Sequence, residues 1–331
     1  MLASLFGRRF WITSLLMIAA GMWLPGDYSA LRPMVGVALG GILFFTGLKM
    51  RVSALVDEVR DPPGMARVAT LAAIKLLLVP AVACAVAWLF GPQWALGVLL
   101  VSAMPAGMSS TAIADVYRAS GPLALVVTLA TCLACPLTVP LVLRLGAGSS
   151  AMDAGALGEQ ALYIATMLIV PFTLAQVVRR TAPAFVDRHQ SRWGYGAVIS
   201  SASLIFFSIS ASRQAWAGFR LVELLSPLLI DTAVMATTLA IGLSTRRWLG
   251  RQRADAFTFC CVWMNNGLAV AFAGQFYHGD PYAILPPVLM QLPITGAVAV
   301  MAWVIARDER SAAAANGNGG GEAPPPLSSC S

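Results

Sequence analysis

Two charged residues and two polar strings stand where this sequence has no cheap place for them. Lys75 lies in KLLLVP (75–80) and Asp231 in LLIDTAVM (228–235), each inside a long apolar run. The polar strings are PAGMSST (105–111) and MNNGLA (264–269). Ser109, Ser110, Thr111, Asn265 and Asn266 supply hydroxyl and amide oxygens. Pro105 removes a backbone donor, while Gly107 and Gly267 loosen the helix around it. Freed carbonyls beside such oxygens make a cation site, and exposed helix N-termini attract anions. Such residues can also be helix–helix glue, hydrogen-bonding between packed spans. Thr128 and Gln291, polar residues in the spans after each string, complete the candidate substrate- or ion-binding set.

The surroundings must be a bilayer. Of 331 residues 58% are hydrophobic and 11% charged, against roughly 25% charged in soluble domains. Apolar runs of span length fill nearly the whole chain, which predicts an all-α polytopic membrane protein. About ten spans follow, near 10–25, 33–49, 66–90, 94–117, 121–143, 156–178, 194–212, 219–245, 254–276 and 282–306. GRRFWITSLLMIAAGMW (7–23) reads as a first span with cytoplasmic arginines rather than a cleaved twin-arginine signal.

Arginine sets the orientation. With the N-terminus inside, the inner side collects 17 of the 22 Lys and Arg residues and the outer side Arg32, Arg144, Arg213 and Arg220, with Lys75 left within a span. Both termini are thereby expected in the cytoplasm of a cell (inner) membrane. This distribution, not nucleic-acid binding, accounts for the net charge of +7. RVSALVDEVRDPPG (51–64) is expected on the inner surface, and the low-complexity tail 311–331 disordered. Cys84, Cys132, Cys135, Cys260 and Cys261 fall within apolar spans and suggest no disulfide framework; the CxxC of Cys132 and Cys135 reads as small apolar filler.

The halves correspond weakly but consistently. Pro136 and Thr138 match Pro293 and Thr295 at an offset of 157, Lys75 and Asp231 differ by 156, and the two polar strings fall at a similar offset. Five spans per repeat is an odd number, so the second repeat enters the membrane from the opposite face. The expectation is two inverted five-span repeats, 1–150 and 151–310, with spans 4 and 9 broken and crossing. That organisation belongs to secondary transporters.

MPAGMSSTAIADVYRASGPLALVVTLATCLACPLTVPLVL (104–143), LFFTGLKMRVSAL (43–55) and WMNNGLAVAFA (263–273) resemble spans 4 to 5, 2 and 9 of the bile acid:sodium symporter family. The resemblance implies a core moving against a panel of spans 1, 2, 6 and 7. It also implies organic-anion substrates, often driven by two sodium ions, with no other cofactor. A possible sodium site would lie near Ser110, Thr111 and Asn265. Ser110 and Asn265 match the family pattern, whereas Thr111 stands at its sodium-binding asparagine and Met264 at a glutamine. Cys260 stands at its sodium-binding glutamate, and Lys75 replaces a glutamine that helps hold the second sodium.

An ammonium near mid-membrane costs roughly 2.5–3.5 kcal/mol on insertion scales, so Lys75 should face the interior with a partner. The expectation is a built-in cation in the second sodium pocket, balanced by Asp231 or Asn265. Two other readings of Lys75 are a static pair with Asp231 and a proton carrier, giving a proton-coupled or uncoupled carrier. An arsenite-type efflux permease is the alternative function, and would use Cys260 and Cys261. An enzyme or chromophore protein built on Lys75 is disfavoured, because no catalytic acid pair accompanies it and His189 and His278 fall in loops. Asp115 and Glu223, near span ends, read as interfacial.

Overall fold

A computed structural model describes residues 10–24, 26, 28–50, 58–146, 154–211, 213, 220, 223–277 and 280–317. The described residues form an all-helical architecture. In chain order the first helices are α1 (Phe10–Trp23), α2 (Arg32–Lys49), α3 (Pro62–Phe90), α4 (Ala95–Ser102), α5 (Ser110–Val116), α6 (Gly121–Gly146) and α7 (Ala154–Thr181). There follow α8 (Pro183–Arg188), α9 (Gln190–Ala211), α10 (Leu225–Ser244), α11 (Arg246–Leu249), α12 (Arg251–Val262), α13 (Asn266–Phe276), α14 (Pro281–Leu289) and α15 (Gln291–Gly317). Proline opens several of them, at Pro33, Pro62 and Pro281, where its missing N–H costs nothing.

Six helices are long and apolar enough to cross a membrane: α3, α6, α7, α9, α10 and the α14–α15 unit. The other four expected spans fall short for visible reasons. α1 has 14 residues, and the apolar stretch of α2, Pro33–Lys49, has 17. The remaining two are cut in half, α4 from α5 and α12 from α13. The last helix continues past 310 to Gly317, because the alanines after Ser311 favour helix. The rest of the expected disordered tail, 318–331, and residues 51–57 of the expected surface segment lie outside the described residues.

Packing divides the chain across its two halves. α9 packs on α1 and α2, and α2 on α7. α3 to α6 pack with α10 and α12 to α15. The two groups meet where α13 and α14 face α2, α7 and α9, and where α6 runs beside α7.

Each group is tied within itself at the arginine-rich end. Arg246 pairs with Asp255 at 2.6 Å and with Asp308 at 2.8 Å, joining α11, α12 and α15. In the other group the Gln176 amide donates to Gly47 O at 2.8 Å, and Arg179 donates to Leu48 O. These ties lie inside the groups, so sliding one group against the other would leave them intact.

Candidate functional site

The two interruptions meet each other. Residues 103–109 separate α4 from α5, with Pro105 and Gly107 inside the gap. Residues 263–265 separate α12 from α13, and Gly267 is the second residue of α13. Ala106 and Met264 form an antiparallel bridge. Gly107 N–H donates to Trp263 O at 2.7 Å, and Asn265 N–H donates to Pro105 O at 2.9 Å. Each break therefore satisfies the other's backbone, which an apolar medium demands. Gly107 is required sterically, since a Cβ there would sit 2.7 Å from Trp263 Cδ1 and 3.1 Å from Trp263 O.

α6 fastens the crossing from behind. Thr131 Oγ1 accepts from Ala106 N–H at 3.2 Å and donates to Thr128 O at 2.9 Å. Thr128 and Ser110 share a hydroxyl–hydroxyl bond of 3.0 Å. The Cys260 thiol completes this buried cluster, donating to Ala124 O at 3.6 Å and lying 3.8 Å from Ser110 Oγ. Sequence reasoning missed Thr131, although it follows Thr128 by three residues and so shares its helix face.

Lys75 lies at the middle of α3, in a π turn over Ile74–Leu78. Val79 N–H bonds to Ile74 O, five residues back, and Pro80 follows with no N–H to give. The ring of Pro80 would crowd the carbonyl of Leu76 in a regular helix, and the widened turn relieves it. Lys75 is fully buried. Its ammonium donates to Ser102 O at 2.9 Å and to Met104 O at 2.8 Å. α4 ends at Ser102, so the ammonium caps the carbonyl end of a half-helix, where orphan acceptors and the helix dipole both favour a cation.

The expected balancing of Lys75 by Asp231 or Asn265 is not what the structure forms. Asp231 is fully buried on α10, and neither carboxyl oxygen has a hydrogen-bond partner. Asn265 instead caps α13, its Oδ1 accepting from Leu268 N–H at 3.3 Å. The backbone at the break supplies what the sequence assigned to a carboxylate. Because Asp231 has no partner to lose, Asp231→Asn is expected to unfold thermally within about 1 kcal/mol of wild type, as for changes that break no contact. A larger loss in detergent would place an unseen partner on Asp231.

The remaining candidates separate. Gly107, Ser109, Asn265, Asn266, Gly267 and Gln291 line a small cavity of about 80 Å³ at the crossing. Leu204 of α9 lines it too, packed so near that a Cβ on Gly267 would lie 2.9 Å from Leu204 Cδ2. Asn266 Oδ1 there, and Thr111 Oγ1, are buried without partners. Ser110 and Thr128 belong to the cluster behind, and Lys75 to the end of α4. For sodium near Ser110, Thr111 and Asn265 this donor set is poor. It offers neutral oxygens, two already engaged, and a thiol rather than a carboxylate. Cys260 and Cys261 are fully buried and line neither cavity.

A larger cavity of about 460 Å³ lies on the arginine-poor side, between α2, α7 and α9 on one hand and α13 and α14 on the other. Tyr163 of α7 spans this seam, donating to Ala271 O at 3.4 Å and meeting Phe276 edge-on at 5.4 Å. Nothing in the sequence singled out Tyr163, an ordinary aromatic in an apolar run.

The model of the SBF-like CPA transporter family matches residues 9–307. The chain belongs to that family. It is thus a membrane transporter, bile acid:sodium symporter-like, and family membership implies transport rather than enzymatic chemistry. No curated protein matches it.

Proposed function

We propose that this protein is a secondary active transporter of small organic metabolites, with Lys75 as a built-in cation in place of a coupling sodium. The observation that carries the reading is the Lys75 ammonium, fully buried and held by Ser102 O and Met104 O at the end of α4. Those carbonyls are oxygen ligands freed by a helix break, the kind a transported cation would otherwise use. The ammonium already satisfies them with its own donors. Cys260 supports the same reading, since a thiol beside Ser110 and Thr128 brings no negative charge to offset sodium's dehydration.

Ten spans in two inverted repeats give this reading its mechanics, with α4–α5 and α12–α13 as the matched broken spans. The group of α3 to α6 and α10 to α15 acts as the core, and α1, α2, α7 and α9 as the panel. Cargo enters the 460 Å³ cavity on the arginine-poor, outer side. Leu204 against Gly267 shuts the crossing beneath it, an outward-facing arrangement. Sliding of the core past Leu204 then passes cargo inward.

The test is uptake by proteoliposomes of a panel of small carboxylates and their neutral analogues, with sodium, with choline, and with an imposed pH gradient. Uptake equal in sodium and choline is the expected result. Sodium-dependent uptake by the wild type that survives Lys75→Ala would sink the built-in-cation reading.

A further inference from the structure

The cavity at the seam has a chemistry of its own. Val35, Met167, Ala211, Val270, Ala271 and Ile284 make it largely apolar, and no charged side chain lines it among the described residues. Lys75 cannot serve it, being fully buried and spent on two carbonyls. An anion seated against these described residues would gain no counter-charge from them, and desolvating an unpaired charge is costly. A volume of about 460 Å³ lies within the range of small-molecule sites.

One polar group in the wall has nothing to do. Ser208 lines the cavity, is 3% exposed, and its hydroxyl has no partner. Buried hydroxyls are ordinarily bonded, so an orphan on a residue of the cavity wall marks a place for a ligand's polar atom. Gln160 stands one helical turn before the cavity residue Tyr163 on α7. It does not line the cavity; its side chain bonds to Tyr277, and its Oε1 is a second buried acceptor without a partner. Gln275 adds an amide to the lining.

From this we infer that the cargo of the seam cavity is an uncharged, mostly apolar molecule carrying a hydroxyl or amide, with Ser208 as its specificity-determining residue. The inference rests on the transporter reading and narrows it, against the organic anions that the sequence resemblance implies. An apolar wall favours the carbon skeleton by its area, and the Ser208 hydroxyl selects the polar end. A site built around an unpaired hydroxyl discriminates against cargo that cannot bond it.

Matched probes decide the matter. Full-length protein in detergent is titrated with 2-naphthalenemethanol and with 2-naphthoate, following thermal unfolding and intrinsic fluorescence. The alcohol is expected to bind at least about tenfold more tightly, a discrimination typical of buried polar matching. Ser208→Ala removes the hydroxyl and adds no bulk, and should weaken the alcohol by about two- to tenfold, the worth of one hydrogen bond. Gly274 lines the same cavity with open space around it, so Gly274→Leu should fold and abolish binding of the alcohol.

Naphthoate binding as tightly as the alcohol overturns the inference, and so does the absence of binding by either. Naphthoate binding lost in Arg32→Ala would move the determinant to the arginine that opens α2 and overturn it too. Alcohol binding unchanged in Ser208→Ala and Gly274→Leu places the site elsewhere. Sodium-independent uptake of carboxylates by proteoliposomes would leave the transporter reading standing while this inference fails.

Discussion

Lys75→Leu is expected to lower the unfolding temperature of the purified protein sharply and to abolish uptake. Leucine fills similar space but donates nothing, so Ser102 O and Met104 O are left buried and unbonded. Each such orphan costs about 1–3 kcal/mol. With total stabilities of about 5–15 kcal/mol, losing both bonds is a large fraction of the margin. Lys75→Gln separates the two roles of the residue. Its amide can donate to one of the carbonyls, so the fold should survive, while the fixed charge is gone. The freed oxygen ligand then invites a cation from solution. Sodium should stabilise Lys75→Gln against heat relative to choline and leave the wild type unmoved. Equal unfolding curves in sodium and choline for both proteins would separate Lys75 from ion coupling and leave it as a structural cap on α4.

How far the sequence reached can be judged from these same residues. Apolar runs located the long helices, because a bilayer leaves few ways to satisfy a backbone. Pro105 and Gly107 placed the first gap well, since proline and glycine act locally. The pairing of Lys75 with Asp231 is the instructive failure. It followed from repeat position and opposite charge, the information that survives in a one-dimensional string. What the lysine meets is backbone carbonyl, and every residue has one, so nothing in the string marks Ser102 and Met104 as its partners. The same blindness hid Tyr163 and Ser208. Their significance lies in which helix faces them across the seam, and apolar spans show little contrast between a lipid face and a packed one. Asn265 caps α13, a role the string offers as readily as ion binding, since asparagine before a helix start commonly supplies a cap.

The crossing predicts a second large effect, and a pair of glycines isolates it. Gly107→Ala adds a methyl 2.7 Å from Trp263 Cδ1, 3.1 Å from Trp263 O and 3.2 Å from Met264 O. Two of these three atoms are backbone, belonging to the strand-like contact that joins the breaks, and they cannot swing aside. The Gly107–Trp263 bond of 2.7 Å must lengthen, and with it the register of Ala106 against Met264. Overpacking of this kind costs about 1–3 kcal/mol, and uptake should fall with stability because both half-helix pairs hang from the bridge. Gly267→Ala meets a different neighbour, Leu204 Cδ2 at 2.9 Å, the end of a flexible side chain on α9. Leu204 can rotate away, so that variant should unfold close to wild type. Its methyl nevertheless thickens the seam between the two packing groups, where sliding has to occur. Gly267→Ala is therefore expected to slow uptake with its stability intact, and Gly107→Ala to lose both. If Gly267→Ala transports at the wild-type rate, α9 does not slide over α13, and the division of the molecule into moving and fixed groups has to be redrawn.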